Sequence, residues 1–188
     1  PTPPQVVTGA SLSDSFDDPS SGLEQTTTPE YSLAYEGGEY HIRVQKTGLL
    51  AWSVYGQVFA DFTVQVTSRQ VEGPDASEQG LIFRYLDETN FYFFVVTGDG
   101  WYHVGKYVDD VYAPVIEWEQ SPHIRTGVNS NRLELQVQGD KITIVVNGQT
   151  LASATDDSFV IGYIGLLAGS LDQPGVHVAF DDLAVTAP

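Results

Sequence analysis

From residue 31 onward the chain repeats one pattern: four to ten residues of alternating or continuous apolar character, then a break rich in Gly, Asn, Asp or Ser. Side chains on a strand point to opposite faces in turn, so each such run predicts a β-strand with one face covered. The clearest case is 131–150, where Leu133, Leu135 and Val137 face Ile142, Ile144 and Val146 across a Gly139-Asp140 turn. Glu134, Gln136 and Thr143 then point outward, and Asn147-Gly148 makes the next reversal into 150–155. Phe62, Val64 and Val66 alternate with Asp61, Thr63, Gln65 and Thr67 in the same half-exposed manner. Shorter strands are expected at 31–35, 39–44 and 49–54, with Gly37-Gly38 and Thr47-Gly48 between them. Ser15–Asp18 reads as a first strand, Val115–Trp118 as the one convincing strand of 108–127, and Gly162–Ala168 and Val176–Val185 as the last two. No segment keeps a helical period, so the chain is expected to be all-β, a two-sheet antiparallel jelly-roll sandwich.

The stretch 80–107 organises the rest. It reads as three antiparallel strands joined at Leu86–Thr89 and at Gly98-Asp99-Gly100, the latter taken as a two-residue Asp-Gly hairpin. That register places Leu81, Phe83 and Tyr85 with Tyr92, Phe94 and Val96, and with Trp101 and His103, on one face. The opposite face receives Ile82 and Arg84, then Phe91, Phe93 and Val95, then Tyr102, Val104 and Lys106. Only the second carries full charges, which are rarely buried without partners, so the first is assigned to the core and the second to a groove or covered surface.

A chain of 188 residues with no abrupt change of composition is expected to form one domain over 11–188, preceded by a proline-rich linker end at 1–10. The net charge of −17 with eight Lys and Arg argues against nucleic acid and anionic membrane surfaces, which need a basic footprint. The chain has no Cys, hence neither disulfides nor a thiolate metal site. No apolar run is long enough to span a membrane, and direct membrane insertion is not expected. A start at Pro1-Thr2-Pro3-Pro4 without Met suggests a processed piece of a longer chain, monomeric when isolated.

The charged row of the central meander is the first candidate site. Sugars are held by stacking of their C–H faces on aromatic rings and by multidentate hydrogen bonds to hydroxyls. Arg84, Phe91, Phe93, Tyr102 and Lys106 supply both, with Glu134 as an added acceptor if it shares the sheet. The competing reading pairs Arg84 and Lys106 structurally with Glu134 or Glu117. In that case Arg84→Ala costs stability rather than glycan retention. Glu117 and Glu119 fall on one side of an extended strand, spaced as a hydrolytic carboxylate pair, but with Ile116 and Trp118 toward the core they read as simply exposed. The four histidines show no metal-ligand spacing, and His103 is expected in the core.

The string GLIFR…D…NFYFF…G…Y…K, followed by NRLELQVQGDKITIVVNGQ and FDDLAV, resembles the concanavalin A-like lectin/glucanase superfamily. It is most similar to a bacterial branch with levan-binding carbohydrate modules and 3-keto-disaccharide hydrolase-like domains. The resemblance implies a structural calcium site formed by Asp17 or Asp18, the carbonyl of Gly38, and Asp181. The chain lacks the E-x-D-x-(x)-E run of the glucanases, and has Glu78-Gln79-Gly80 where the hydrolase-like domains carry Asn-Ser-Gly. The expectation is therefore a non-catalytic, extracellular or cell-surface carbohydrate-binding module of a larger bacterial protein. A glycoside hydrolase-like enzyme and a structural or sensory domain with a protein partner are the alternatives.

Overall fold

The structure is a computed structural model and describes residues 11–188. The linker end expected at 1–10 lies outside the described residues. The chain runs through β1 (Ser11–Asp14), β2 (Thr26–Thr27), β3 (Tyr31–Glu36), β4 (Glu39–Val44), β5 (Leu50–Phe59), β6 (Phe62–Glu72) and β7 (Glu78–Asp87). It continues through β8 (Asn90–Thr97), β9 (Trp101–Val108), β10 (Val111–Gln120), β11 (Asn131–Gln138) and β12 (Lys141–Val146). The last strands are β13 (Gln149–Thr155), β14 (Gly162–Gly169) and β15 (Val176–Thr186).

These strands form two antiparallel sheets. One has six strands in the order β10-β9-β8-β7-β14-β5; the other has nine, ordered β13-β12-β11-β6-β15-β4-β3-β2, with β1 also paired to β15. The all-β sandwich expected from the sequence is thus the fold observed. Inward residues of both sheets make one core, with Val64, Val66, Leu133 and Leu135 of the larger sheet meeting Leu81, Phe83, Tyr92 and Phe94 of the smaller. The 131–150 hairpin keeps the expected register, Leu133 opposite Val146 and Val137 opposite Ile142.

Two local features of the meander depart from simple alternation, and both bear on the site. Thr97 and Trp101 bracket a three-residue loop rather than a two-residue turn, with Gly100 N–H donating to the Thr97 carbonyl (3.1 Å) and Gly100 at φ +90°. Three-residue hairpins of this kind need a left-handed residue, which Gly supplies without strain. Val96 therefore pairs with Tyr102 and Phe94 with Val104. A one-residue slip reverses every side chain of a strand. Tyr102 and Val104 accordingly join the core, and His103 moves to the outer face.

The second feature lies in β7, whose pairing with β8 shifts between Phe83 and Asp87. Arg84 takes φ +45° there, so Arg84 and Tyr85 exchange the sides that alternation assigns them.

Elsewhere, Ser15–Asp18 form a turn instead of a strand. The Asp14 carboxylate accepts from the Phe16 N–H (2.8 Å), and Phe16 adopts φ +57°. The first strand lies just before it, as β1. In β10, register shifts around Ile116 send Ile116 into the core but Trp118 to the outer face of the small sheet, against the expectation that both face inward.

Candidate functional site

The outer face of the six-stranded sheet is built from every second residue of strands that carry few charges. Ile82, Phe91, Phe93, Val95 and Leu167 form its buried floor. Trp52 and Tyr85 lie over one half and Tyr107 and Trp118 over the other, each partly exposed. The rings run in near-continuous contact, Trp52 to Phe91 at 5.3 Å between centroids, Phe91 to Tyr107 at 5.1 Å and Tyr107 to Tyr112 at 5.8 Å. His103 stacks on Trp118 at 4.7 Å with an interplanar angle of 14°. Offset and tilted contacts at such distances are the favourable geometries for aromatic pairs.

At the Trp118 end this face opens into a cleft of about 350 Å³. Phe93, His103, Tyr107, Tyr112 and Trp118 make one side; Leu50 and the 170–172 turn make the other. Two glycines keep it open. A Cβ at Gly105 would fall 2.5 Å from Phe93 Cζ and 2.8 Å from His103 Nε2, and one at Gly169 would fall 2.3 Å from Glu78 Oε2.

Glu78 also lines this cleft and is only 4% exposed. Its carboxylate has no hydrogen bond or ion pair among the described residues, and burial alone pushes its pKa up to about 7. Removing a carboxylate from water without a donor is costly, so its presence in an apolar setting is chemically informative. Burial pushes the neighbouring His103 imidazole down to about 4, the backbone of Ile116 opposing the shift, so it is neutral at physiological pH. The Tyr112 hydroxyl shares a hydrogen bond with His103 Nε2 (3.0 Å).

Of the residues singled out in the sequence, Phe91 and Phe93 lie on this face, and the other four do not. Arg84 is 1% exposed and points away from it, donating to the carbonyls of Phe159 (2.9 Å), Ala60 (3.2 Å) and Gly139 (2.7 Å). It ties together three chain segments at one end of the core.

Lys106 belongs to the same inward side, bonded to Asp156 (2.5 Å) and Ser158 (2.8 Å), with the Tyr92 hydroxyl donating to the same Asp156 (2.5 Å). Burial raises the Asp156 pKa, but Lys106, Tyr92 and Ser158 outweigh it and hold the group down at about 2.

Tyr102 is in the core, its hydroxyl donating to Glu119 (2.6 Å). Glu134 is in the other sheet, where Gln65 and Gln136 donate to it at 2.6 and 2.5 Å. The ion pairs of Arg84 or Lys106 with Glu134 or Glu117 do not form; Arg84 instead meets carbonyls and Asp61 (3.9 Å), and Lys106 meets Asp156 and Ser158.

Glu78, Tyr107, Tyr112 and Trp118 are not among the site residues that the sequence singles out. Their signal was present: a lone acid heading an apolar strand, and Gly105 and Gly169 breaking strands at points where only a bare backbone leaves room.

The proposed metal ligands are partly drawn together. Asp17 Oδ1 lies over the β3–β4 turn, 3.1 Å from where a Cβ of Gly38 would be. Burial raises the Asp181 pKa; Asp182, Glu39 and Asp17 add to the rise, while the Asp182 N–H (2.8 Å) opposes it. Three acids, Asp17, Glu39 and Asp182, thus act on the Asp181 carboxyl. Asp18 turns away and accepts from Ser20 N–H (2.9 Å) and Oγ (2.7 Å). Among the described residues no three His, Cys, Asp or Glu side chains are grouped as metal ligands, so a calcium ion would draw on Asp17, Asp181, the Gly38 carbonyl and water.

No family model matches the chain. A TPR repeat-containing protein of Treponema pallidum (strain Nichols) is 31% identical over 101 residues, covering 52% of this chain and 12% of that protein. The chain thus spans a small part of the length of the curated relative it matches.

Among solved structures, the carbohydrate-binding module CBM66 from Bacillus subtilis superposes with a TM-score of 0.71 at 18% identity, over 86% of this chain and 94% of that one. A Bacillus subtilis protein of unknown function with a galectin-like fold gives 0.70 at 13%, over 97% and 98%. The GH43 protein BlXynB of Bacillus licheniformis gives 0.66 at 13%, over all of this chain but 41% of that one. At such identities the likeness is one of fold.

Proposed function

On this concanavalin A-like sandwich, we propose, the outer face of the six-stranded sheet binds carbohydrate without catalysing its cleavage. The observation that carries the reading is the aromatic floor from Trp52 to Trp118 with an open cleft at one end. Sugar rings present apolar C–H faces that stack on such a surface, while a few polar groups fix orientation. A binding role is favoured over a hydrolytic one because the Glu117 and Glu119 pair is not an open pair: Glu119 is engaged by Tyr102. The setting we propose is a bacterial extracellular or cell-surface chain in which this sandwich is one module.

The test is retention of the domain on a broad glycan and polysaccharide array. Retention by the native domain and its loss in Trp118→Ala, which leaves the core intact, is the expected result. A blank array from a folded domain overturns the reading and favours a protein partner.

We extend the proposal to a structural calcium ion at Asp17, Asp181 and Gly38. Such an ion binds the native state alone and so raises Tm with concentration. The expected rise in calcium over EDTA disappears in Asp181→Asn; an unchanged Tm removes the site.

A further inference from the structure

Building on the carbohydrate reading, we infer that the cleft at Glu78 selects a saccharide that carries a free, protonated amine. The cleft offers such a group acidic acceptors beside aromatic rings. Its charged lining residues are both acids, Glu78 and Asp172, and none of its lining residues is Lys, Arg, Asn or Gln. An ammonium group donates three hydrogen bonds and accepts none, and the Glu78 and Asp172 carboxylates and the Tyr107, Tyr112 and Ser170 hydroxyls of the lining can accept them.

Glu78 is 4% exposed and its carboxylate lacks a partner among the described residues. A bound cation would supply the missing partner. Phe93, Tyr107, Tyr112 and Trp118 line the same cleft, and aromatic rings attract a cation through their quadrupoles. The net charge of −17 favours approach of a cationic ligand. Gly169 reserves the space for the carboxylate, since any Cβ there would strike Glu78 Oε2.

The probes are a glucosamine tetrasaccharide and its fully N-acetylated counterpart, titrated at physiological salt into the native domain, Glu78→Gln, Trp118→Ala and Asp157→Asn. Asp157 is an exposed acid outside the cleft, and its variant changes the net charge by the same amount. The free-amine sugar is expected to bind the native domain at least about tenfold more tightly than the acetylated one. Glu78→Gln should erase that preference, and Asp157→Asn should keep it.

Equal binding of the two sugars, or a preference that survives Glu78→Gln, overturns the inference. If Trp118→Ala still abolishes binding in that case, the carbohydrate reading stands alone. Failure of both sugars together with every array glycan removes both readings. Thermal melting of each variant verifies that it is folded.

Discussion

The two outer faces of the sandwich obey the same alternation and end in opposite chemistry. On the nine-stranded sheet several outward polar residues pair with one another. Arg69 forms a two-pronged pair with Glu39 (3.0 and 2.6 Å), and Arg43 does the same with Glu36 (2.8 and 2.7 Å). His41 and His177 share a hydrogen bond (2.8 Å), and Gln65 bridges Arg132 and Glu134. On the six-stranded sheet an aromatic and aliphatic cluster covers the outer face, and Glu78 at its cleft has no partner among the described residues. Polar groups that pair with one another have less to gain from a ligand than an open apolar area beside an unmet carboxylate.

The largest effect that tests this contrast comes from the inward side of the small sheet. Arg84→Ala leaves three carbonyls without donors and a cavity behind, and should cost about 3–5 kcal/mol in chemical denaturation. Glycan affinity of the folded fraction should be unchanged, which separates the residue that holds the sheet from those that use it.

Next is the pH dependence set by Glu78. Its folded pKa of about 7 lies above the ordinary 4.5, so its contribution is fully present below pH 4.5 and is lost as pH rises through 7. The loss is roughly 3 kcal/mol at full ionisation. Glu78→Gln should flatten unfolding free energy across that window. Asp156, held at about 2, works the other way: its contribution is present above the ordinary 3.8 and fades as pH falls through 2.

Trp118→Ala should lower glycan affinity about tenfold or more while costing roughly 1 kcal/mol of stability, because the ring is partly exposed. The smallest effect belongs to the other face. Arg69→Ala breaks a partly exposed pair and should cost about 0.5 kcal/mol and no affinity.

How far the sequence could be read depended on where the chain departs from regular pleat. The 131–150 hairpin was fully legible because one face is apolar and the other polar, so only one register fits. The meander has apolar residues on both faces and gives no such restraint. Its register rested on the Gly98–Gly100 turn, and three loop residues in place of two carried Tyr102 into the core and His103 out of it. Arg84 was misplaced by the shift in β7, and Trp118 by the shifts in β10; neither bulge has a glycine to announce it. Phe91 and Phe93 keep the outer side that alternation assigns them because they precede that turn.

NMR titration of the three tryptophan indole signals tests the assignment of the site most directly, using whichever glycan the array retains best. Trp52 and Trp118 lie on the aromatic face, 5.3 Å from Phe91 and 4.7 Å from His103 respectively. The account expects the Trp118 indole to shift with the glycan and backbone amides of the β4 and β6 outer face to stay fixed. Shifts centred on β4, β6 or β11, with both indoles silent, would contradict it.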